Sequence, residues 1–173
     1  MSRLGDPDPA TFTDEVRDLV AKMPPDDMLK MLSHSVGTLN LVVELAHAQL
    51  RSLRLPARSR ELVALAVAVY AESAFELVKH EPMARDAGVE NRVQQLVRAR
   101  WINSPELSDY DHVLLRFTVE VLRSPTISDG LFDAVRDILS DREIVEVLEM
   151  IGCYWTFGRI TTVLEVPLTP VPG

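Results

Sequence analysis

From Thr13 onward, apolar positions recur every three to four residues, the period of helices that bury one face. Val16, Leu19, Val20 and Met23 form a first stripe, stopped by Pro24 and Pro25. Met28, Leu29, Leu32 and Val36 form a second, before a break at Gly37. Leu39, Val42, Val43, Ala46 and Leu50 then follow at i, i+3, i+4, i+7 spacing toward Arg51. After Leu55-Pro56 comes an almost wholly apolar helix over 58–72, and another from about Ala74 to Ala87. The latter ends at Gly88, a natural left-handed C-terminal position. Pro82 inside it must kink the helix or open a new first turn. Val93, Leu96 and Val97 mark a short amphipathic helix. Ser108, Ser128 and Ser140 precede the last three stripes as N-caps, and Ser140 with Glu143 reads as a capping box. No stretch alternates with period two for long enough to make a strand. The expected fold is all-α, a single domain of about eight to nine helices over 13–173. Residues 1–12, polar and proline-rich, are expected to be a flexible tail.

Composition narrows the function. The chain has 173 residues, 47% hydrophobic and 25% charged, too apolar for intrinsic disorder and long enough for one sizeable core. Eighteen basic residues against 26 acidic ones give a net charge of −8. Such a surface offers no basic field for phosphates, so nucleic acid is not an expected partner. The longest apolar run, Leu62 to Ala71, is about half of the roughly 20 residues a membrane span needs. The N-terminus carries no apolar secretory core, and the single cysteine, Cys153, cannot form an internal disulfide. A cytoplasmic protein is expected. Glu44 and His47 have the i,i+3 spacing of carboxylate-bridged metal bundles, but the second pair such a centre requires is missing. There is no glycine-rich phosphate loop and no Gly-x-Ser-x-Gly elbow. The expectation is no metal and no cofactor.

Three stretches, taken in order, resemble a known family. LPARSRELVALAVA (55–68) is similar to the Leu-(Ser/Pro)-x-x-x-Arg-Glu-Leu helix of the carboxymuconolactone decarboxylase superfamily, which includes the AhpD-like alkylhydroperoxidases. AFELVKHEPMARDAG (74–88) resembles that family's aromatic-Glu-(Trp/Leu)-x-x-His-x-x-x-Ala-x-x-x-Gly segment. Residues 139–168 resemble its closing helix, with Gly152, Tyr154 and Arg159 in a Gly-x-Tyr-x-x-x-x-Arg run. The resemblance covers roughly 35–168. It implies an AhpD-like helical bundle and a homo-oligomer, trimeric or hexameric.

It also implies a site. In the peroxidase branch a Glu, a Cys-x-x-Cys pair and a His work together. Counting back from His80 puts the thiol positions at Glu76 and Ser73, and the Glu at Glu61. A dithiol peroxidase needs one thiolate to attack peroxide and a second thiol to resolve the sulfenate. Ser73 and Glu76 do neither, so the decarboxylase-like branch fits better, with Glu and His handling protons.

Glu76 and His80, at i and i+4, share a helix face. A carboxylate raises an imidazole pKa and burial lowers it, a balance expected to leave His80 near neutrality. Such a group would serve as general acid or base beside a carbonyl or a dienolate. The plainer reading of the pair is a surface contact worth a few tenths of a kcal/mol. Glu61 is either a third member of the relay or a first-turn carboxylate paired with Arg58. Ser73 either hydrogen-bonds substrate or caps its helix. Tyr154, Trp155 and Phe157 cluster as pocket wall, core or subunit interface. Arg159 would hold a substrate carboxylate or pair with a neighbouring Glu. Cys153 is expected to be a buried small hydrophobe.

The function these residues suggest is a cofactor-independent lyase or isomerase acting on a small organic acid, lactone or enone. Its catalytic candidates are His80, Glu76 and Glu61, with Ser73, Tyr154, Trp155 and Arg159 as substrate-binding candidates. The alternatives are a non-catalytic oligomeric ligand-binding member of the family and, further off, the peroxidase.

Overall fold

The computed structural model describes residues 2–24 and 26–168. The end of the expected domain, 169–173, lies outside the described residues, as does Pro25 of the expected first helix stop. Among the described residues there are nine α-helices, a 3-10 turn at Pro9–Thr11 and no strand. The helices are α1 (Asp14–Lys22), α2 (Asp27–Leu32), α3 (Leu39–Arg51), α4 (Ala57–Tyr70), α5 (Ala74–Asp86), α6 (Asn91–Arg98), α7 (Asp109–Arg123), α8 (Asp129–Ile138) and α9 (Asp141–Val163). Among the described residues no helix is long and apolar enough to cross a membrane.

The apolar run seen in the sequence becomes the central helix. Every residue of α4 from Glu61 to Val69 is buried, because α5, α6, α7 and α9 surround it. The N-caps fall where serine was expected: Ser108, Ser128 and Ser140 each accept a backbone N–H of the following turn, and Ser140 with Glu143 closes a capping box. Pro82 does not break α5, which continues to Asp86. The carbonyl it leaves unbonded is that of Val78, whose residue is exposed, so water can take the place of the missing N–H.

Two contacts fix α9 alongside α4 in the same direction. At one end, the Glu146 carboxylate accepts the backbone N–H of Arg54 (3.0 Å) and of Leu55 (2.8 Å). At the other, Gly158 faces Ala71 so closely that a Cβ on it would lie 2.8 Å from the alanine Cβ. Only glycine permits that approach.

A smaller apolar cluster of Phe12, Val16, Leu29, Leu39 and Val43 joins α1, α2 and α3. Within the segment expected as a tail, Ser2 and Arg3 lie against the far end of the chain and Gly5 against His34. The Arg3 amide donates to the Leu164 carbonyl at 2.8 Å, the Arg3 guanidinium pairs with Glu165, and the His34 ring meets the Gly5 carbonyl at 3.0 Å.

Candidate active site

Helices α4 and α5 are antiparallel neighbours joined by a tight turn, so the first half of α4 faces the middle of α5. That places Glu61 opposite His80, nineteen positions on. Glu61 Oε2 lies 2.8 Å from His80 Nδ1. Glu76, one turn before His80, brings Oε2 to 3.6 Å from Nε2, beyond direct hydrogen-bond length. All three residues are at most 5% exposed. The third wall is α9: Tyr154 stands edge-on to the imidazole, with ring centroids 4.7 Å apart.

Three sequence expectations change here. The close partner of His80 is Glu61, and Glu76 is the longer contact. Nor is Glu61 paired with Arg58, whose guanidinium grips Asp111 at 2.6 and 2.8 Å and reaches Glu90. The imidazole is not poised at neutrality either. Burial pulls its pKa down, but the hydrogen bond to Glu61 and the nearby Glu76 outweigh burial and lift it to about 9. At pH 7 the site therefore holds an imidazolium between two carboxylates. The carboxylates approach opposite edges of the ring, so the three side chains do not converge on one point. Among the described residues no group of three or more His, Cys, Asp or Glu is arranged to hold a metal.

The other candidates divide. Ser73 is fully buried and caps α5, accepting the Glu76 N–H, with its hydroxyl 2.9 Å from Thr161 Oγ1. Thr161 also reaches the Phe157 carbonyl at 3.0 Å, so the Ser73 hydroxyl is engaged by both the Glu76 N–H and Thr161 within the fold. Trp155 and Arg159 form a pair of their own, the guanidinium stacked 4.1 Å over the indole. Arg159 makes no ion pair among the described residues, and its Nε is buried without a partner. Cys153 is half-buried; burial and then Glu76 push its thiol up to about 11. Burial, then Glu61 and Glu76, hold the Tyr154 phenol above its ordinary range. Glu44 and His47 are both exposed on α3.

Arg60 was not among the sequence candidates. It stands beside Glu61, its Nε is buried without a partner, and it lies within electrostatic reach of the Tyr154 hydroxyl. The Arg-Glu-Leu motif already contained it.

Two hollows of about 390 and 480 Å³ open elsewhere, one between the N-terminal segment and α2, the other between the start of α5 and the end of α9. Neither is lined by Glu61, His80 or Tyr154.

Fold and site together define an all-helical bundle built around a buried histidine–carboxylate centre that lacks a thiol pair. The carboxymuconolactone decarboxylase family model matches residues 37–102. A protein of unknown function from Agrobacterium tumefaciens, provisionally assigned to antioxidant defence as an AhpD, has a solved structure that superposes with a TM-score of 0.69. It is 25% identical, over 78% of this chain and 92% of that one. A peroxidase-related AhpD-core protein from Ralstonia eutropha gives a TM-score of 0.81 at 16% identity, over 98% and 93% of the two chains. A debrominase in complex with 2,3,4-tribromopyrrole gives 0.70 at 11% identity, over 90% and 83%. No curated protein matches by sequence. Over residues 37–102 the chain is similar to the carboxymuconolactone decarboxylase family, and its fold is AhpD-like.

Proposed function

We propose that the protein is a cofactor-independent lyase or isomerase that moves a proton on a small organic acid, lactone or enone. The observation that carries this reading is the buried trio itself: His80 held by Glu61, with Glu76 at its other edge and Glu76 Oε1 free of any hydrogen bond. A surface i,i+4 pair would be solvated and saturated. This one is neither.

The roles follow from charge. An imidazolium at neutral pH is an acid, so His80 donates or orients, and the carboxylate with an unused oxygen, Glu76, accepts. Glu61 fixes the ring through Nδ1, leaving Nε2 toward Glu76 and the substrate. The thiol route is disfavoured, because Ser73 and Glu76 stand at the thiol positions and the Cys153 thiol is held protonated at neutral pH.

The test is exchange of solvent deuterium into a panel of small enones and γ-lactone acids, followed by mass spectrometry. Exchange that disappears in folded Glu76→Gln and His80→Gln supports the reading. A panel with no exchange above buffer would leave a ligand-binding role.

As part of the same reading, we place the protein in the cytoplasm as a homo-oligomer, a trimer or hexamer. Exposed Leu41 and Leu45 on α3 and Val145 and Leu148 on α9 supply apolar surface for subunit contacts. Light scattering at micromolar concentration tests this, and a monomer would sink it.

A further inference from the structure

The buried trio leaves polar atoms around it without protein partners. Glu76 Oε1 accepts no hydrogen bond, and Arg60 Nε donates none, although both are buried. The Tyr154 hydroxyl bonds to no described residue, while its ring is buried against His80. Folded interiors satisfy nearly all such groups, so two buried orphans on the facing helices α4 and α5 point to a place for a ligand. They gather around His80: Tyr154 stands edge-on to its ring at 4.7 Å, Glu76 Oε2 lies 3.6 Å from its Nε2, and Arg60 adjoins Glu61, which holds its Nδ1 at 2.8 Å.

We propose that the Tyr154 hydroxyl and the Arg60 guanidinium form a subsite for an enolate-type oxyanion on the substrate, beside the unpaired oxygen of Glu76. This rests on the proton-transfer reading above and adds what that reading lacks, a place for the charge that proton removal creates.

The step balances within the site. The C–H bond next to the substrate carbonyl breaks, and its electron pair forms the C=C bond of the enolate. The carbonyl π pair moves onto oxygen, and the proton goes to Glu76 Oε1. A carboxylate becomes a carboxylic acid as a neutral carbonyl becomes an oxyanion, so total charge is unchanged. Return of the proton to the same carbon gives exchange. Return to the γ-carbon of an enone gives the isomer. No oxidant or reductant enters.

Each residue type suits its task. Burial, reinforced by the two carboxylates, keeps Tyr154 a phenol, so it donates a hydrogen bond without surrendering its proton. Arg60 answers the charge. Once Glu76 has taken the proton, the negative charge it held resides on the substrate oxygen. A guanidinium with no acidic partner among the described residues offsets it. Arg58, on the same helix, cannot do so, because Asp111 and Glu90 already hold it.

The test uses the full chain and para-nitrophenol, a stable enolate mimic whose visible absorbance reports its ionisation. The wild type is expected to bind the phenolate in preference to the phenol, lowering the apparent pKa of the bound probe. Tyr154→Phe, which keeps the ring and its packing, should weaken phenolate binding by about tenfold or more. Arg60→Gln should remove the preference for phenolate. Glu76→Gln should bind phenolate several-fold tighter, because a repelling carboxylate has gone.

Wild-type protein that binds phenol and phenolate equally overturns the proposal. So does a folded Tyr154→Phe that binds phenolate as tightly as wild type. Should Tyr154→Phe fail to fold, Arg60→Gln decides, since the Arg60 side chain makes no hydrogen bond or ion pair among the described residues. The two readings fail separately: a missing phenolate preference sinks the subsite, whereas deuterium exchange undiminished in Glu76→Gln sinks proton transfer.

Discussion

Arg58 and Glu61 stand one helical turn apart on α4, and each anchors a cluster of charges. Around Arg58 everything is matched. Both terminal guanidinium nitrogens bind Asp111, one of them also meets Glu90, and Nε donates to the Gly88 carbonyl. Around Glu61, two carboxylates share one imidazolium, and a carboxylate oxygen is left over. The first cluster is closed chemistry and can only hold helices together. The second carries an excess negative charge and an unused acceptor in a buried place, a cost that folding alone does not require. Burial alone does not separate a structural ion cluster from a working one. Saturation does.

That contrast is broken most sharply at His80. If it moves or orients a proton in the transition state, His80→Ala should lower turnover about 10²–10⁴-fold, or roughly 3–5 kcal/mol of barrier. The double variant with Glu76→Gln should be little worse than the worse single one, because the two act as a unit. Single-turnover kinetics with thermal melts as the folding control measure this. Full turnover in folded His80→Ala would make the two clusters alike.

The Arg58 cluster should answer in stability instead. Asp111 is almost wholly buried at the start of α7. Asp111→Ala leaves the guanidinium with Glu90 and the Gly88 carbonyl and should cost about 1–3 kcal/mol, read from urea unfolding. Turnover per folded molecule should stay near wild type.

How much of this was legible in the sequence depends on range. Caps are local, so Ser108, Ser128 and Ser140 could be read directly, as could the left-handed end of α5 at Gly88 (φ 87°). The central helix announced itself by having no polar face beyond its first turns. The i,i+4 rule found Glu76 beside His80, but it could not find Glu61, which approaches across two antiparallel helices. The family motif alone brought Glu61 forward, and it carried Arg60 unnoticed. The Arg58–Asp111 bond joins positions 53 apart, and Arg3 reaches Glu165 from the other end of the chain. Nothing in a periodicity can show such pairings. Spacing was also silent on His80 protonation, because the outcome turns on how two carboxylates weigh against burial.

That balance predicts a pH dependence peculiar to the Glu61 cluster. The folded-state pKa of His80, about 9, lies above the unfolded value of 6.5. The protonated form is therefore favoured by folding. Its stabilisation is complete below pH 6.5 and fades as pH rises through 9. The shift corresponds to about 3 kcal/mol at most. Urea midpoints should fall over that window in the wild type, and the fall should flatten in His80→Gln. An equal slope in both would mean the imidazole is not held charged in the native state.

The smallest effect comes from the turn that sets α5 against α4, and so sets the distance between His80 and Glu61. Helix α4 ends with the Ser73 N–H donating to the Ala68 carbonyl at 2.9 Å and the Ala71 N–H donating to the Val67 carbonyl at 2.7 Å. Glu72 sits between them at φ 58°. Helices α5, α6 and α9 close in the same manner at Gly88, Arg100 and Glu165, so three of four left-handed positions carry a side chain. Glycine at such a position avoids the clash of Cβ with the backbone, which costs other residues about 1 kcal/mol. Against this, Glu72 offers an ion pair with Arg100 at 3.1 Å between exposed side chains, worth well under about 1 kcal/mol. Glu72→Gly should therefore stabilise the protein by about 0.5 kcal/mol, seen as a small rise in urea midpoint, with turnover unchanged. A loss of stability would show that the ion pair, together with the Arg100 bond to the Val69 carbonyl, outweighs backbone strain in holding the turn. Unchanged stability with reduced turnover would show that the glutamate fixes the approach of α5, and with it the His80–Glu61 distance.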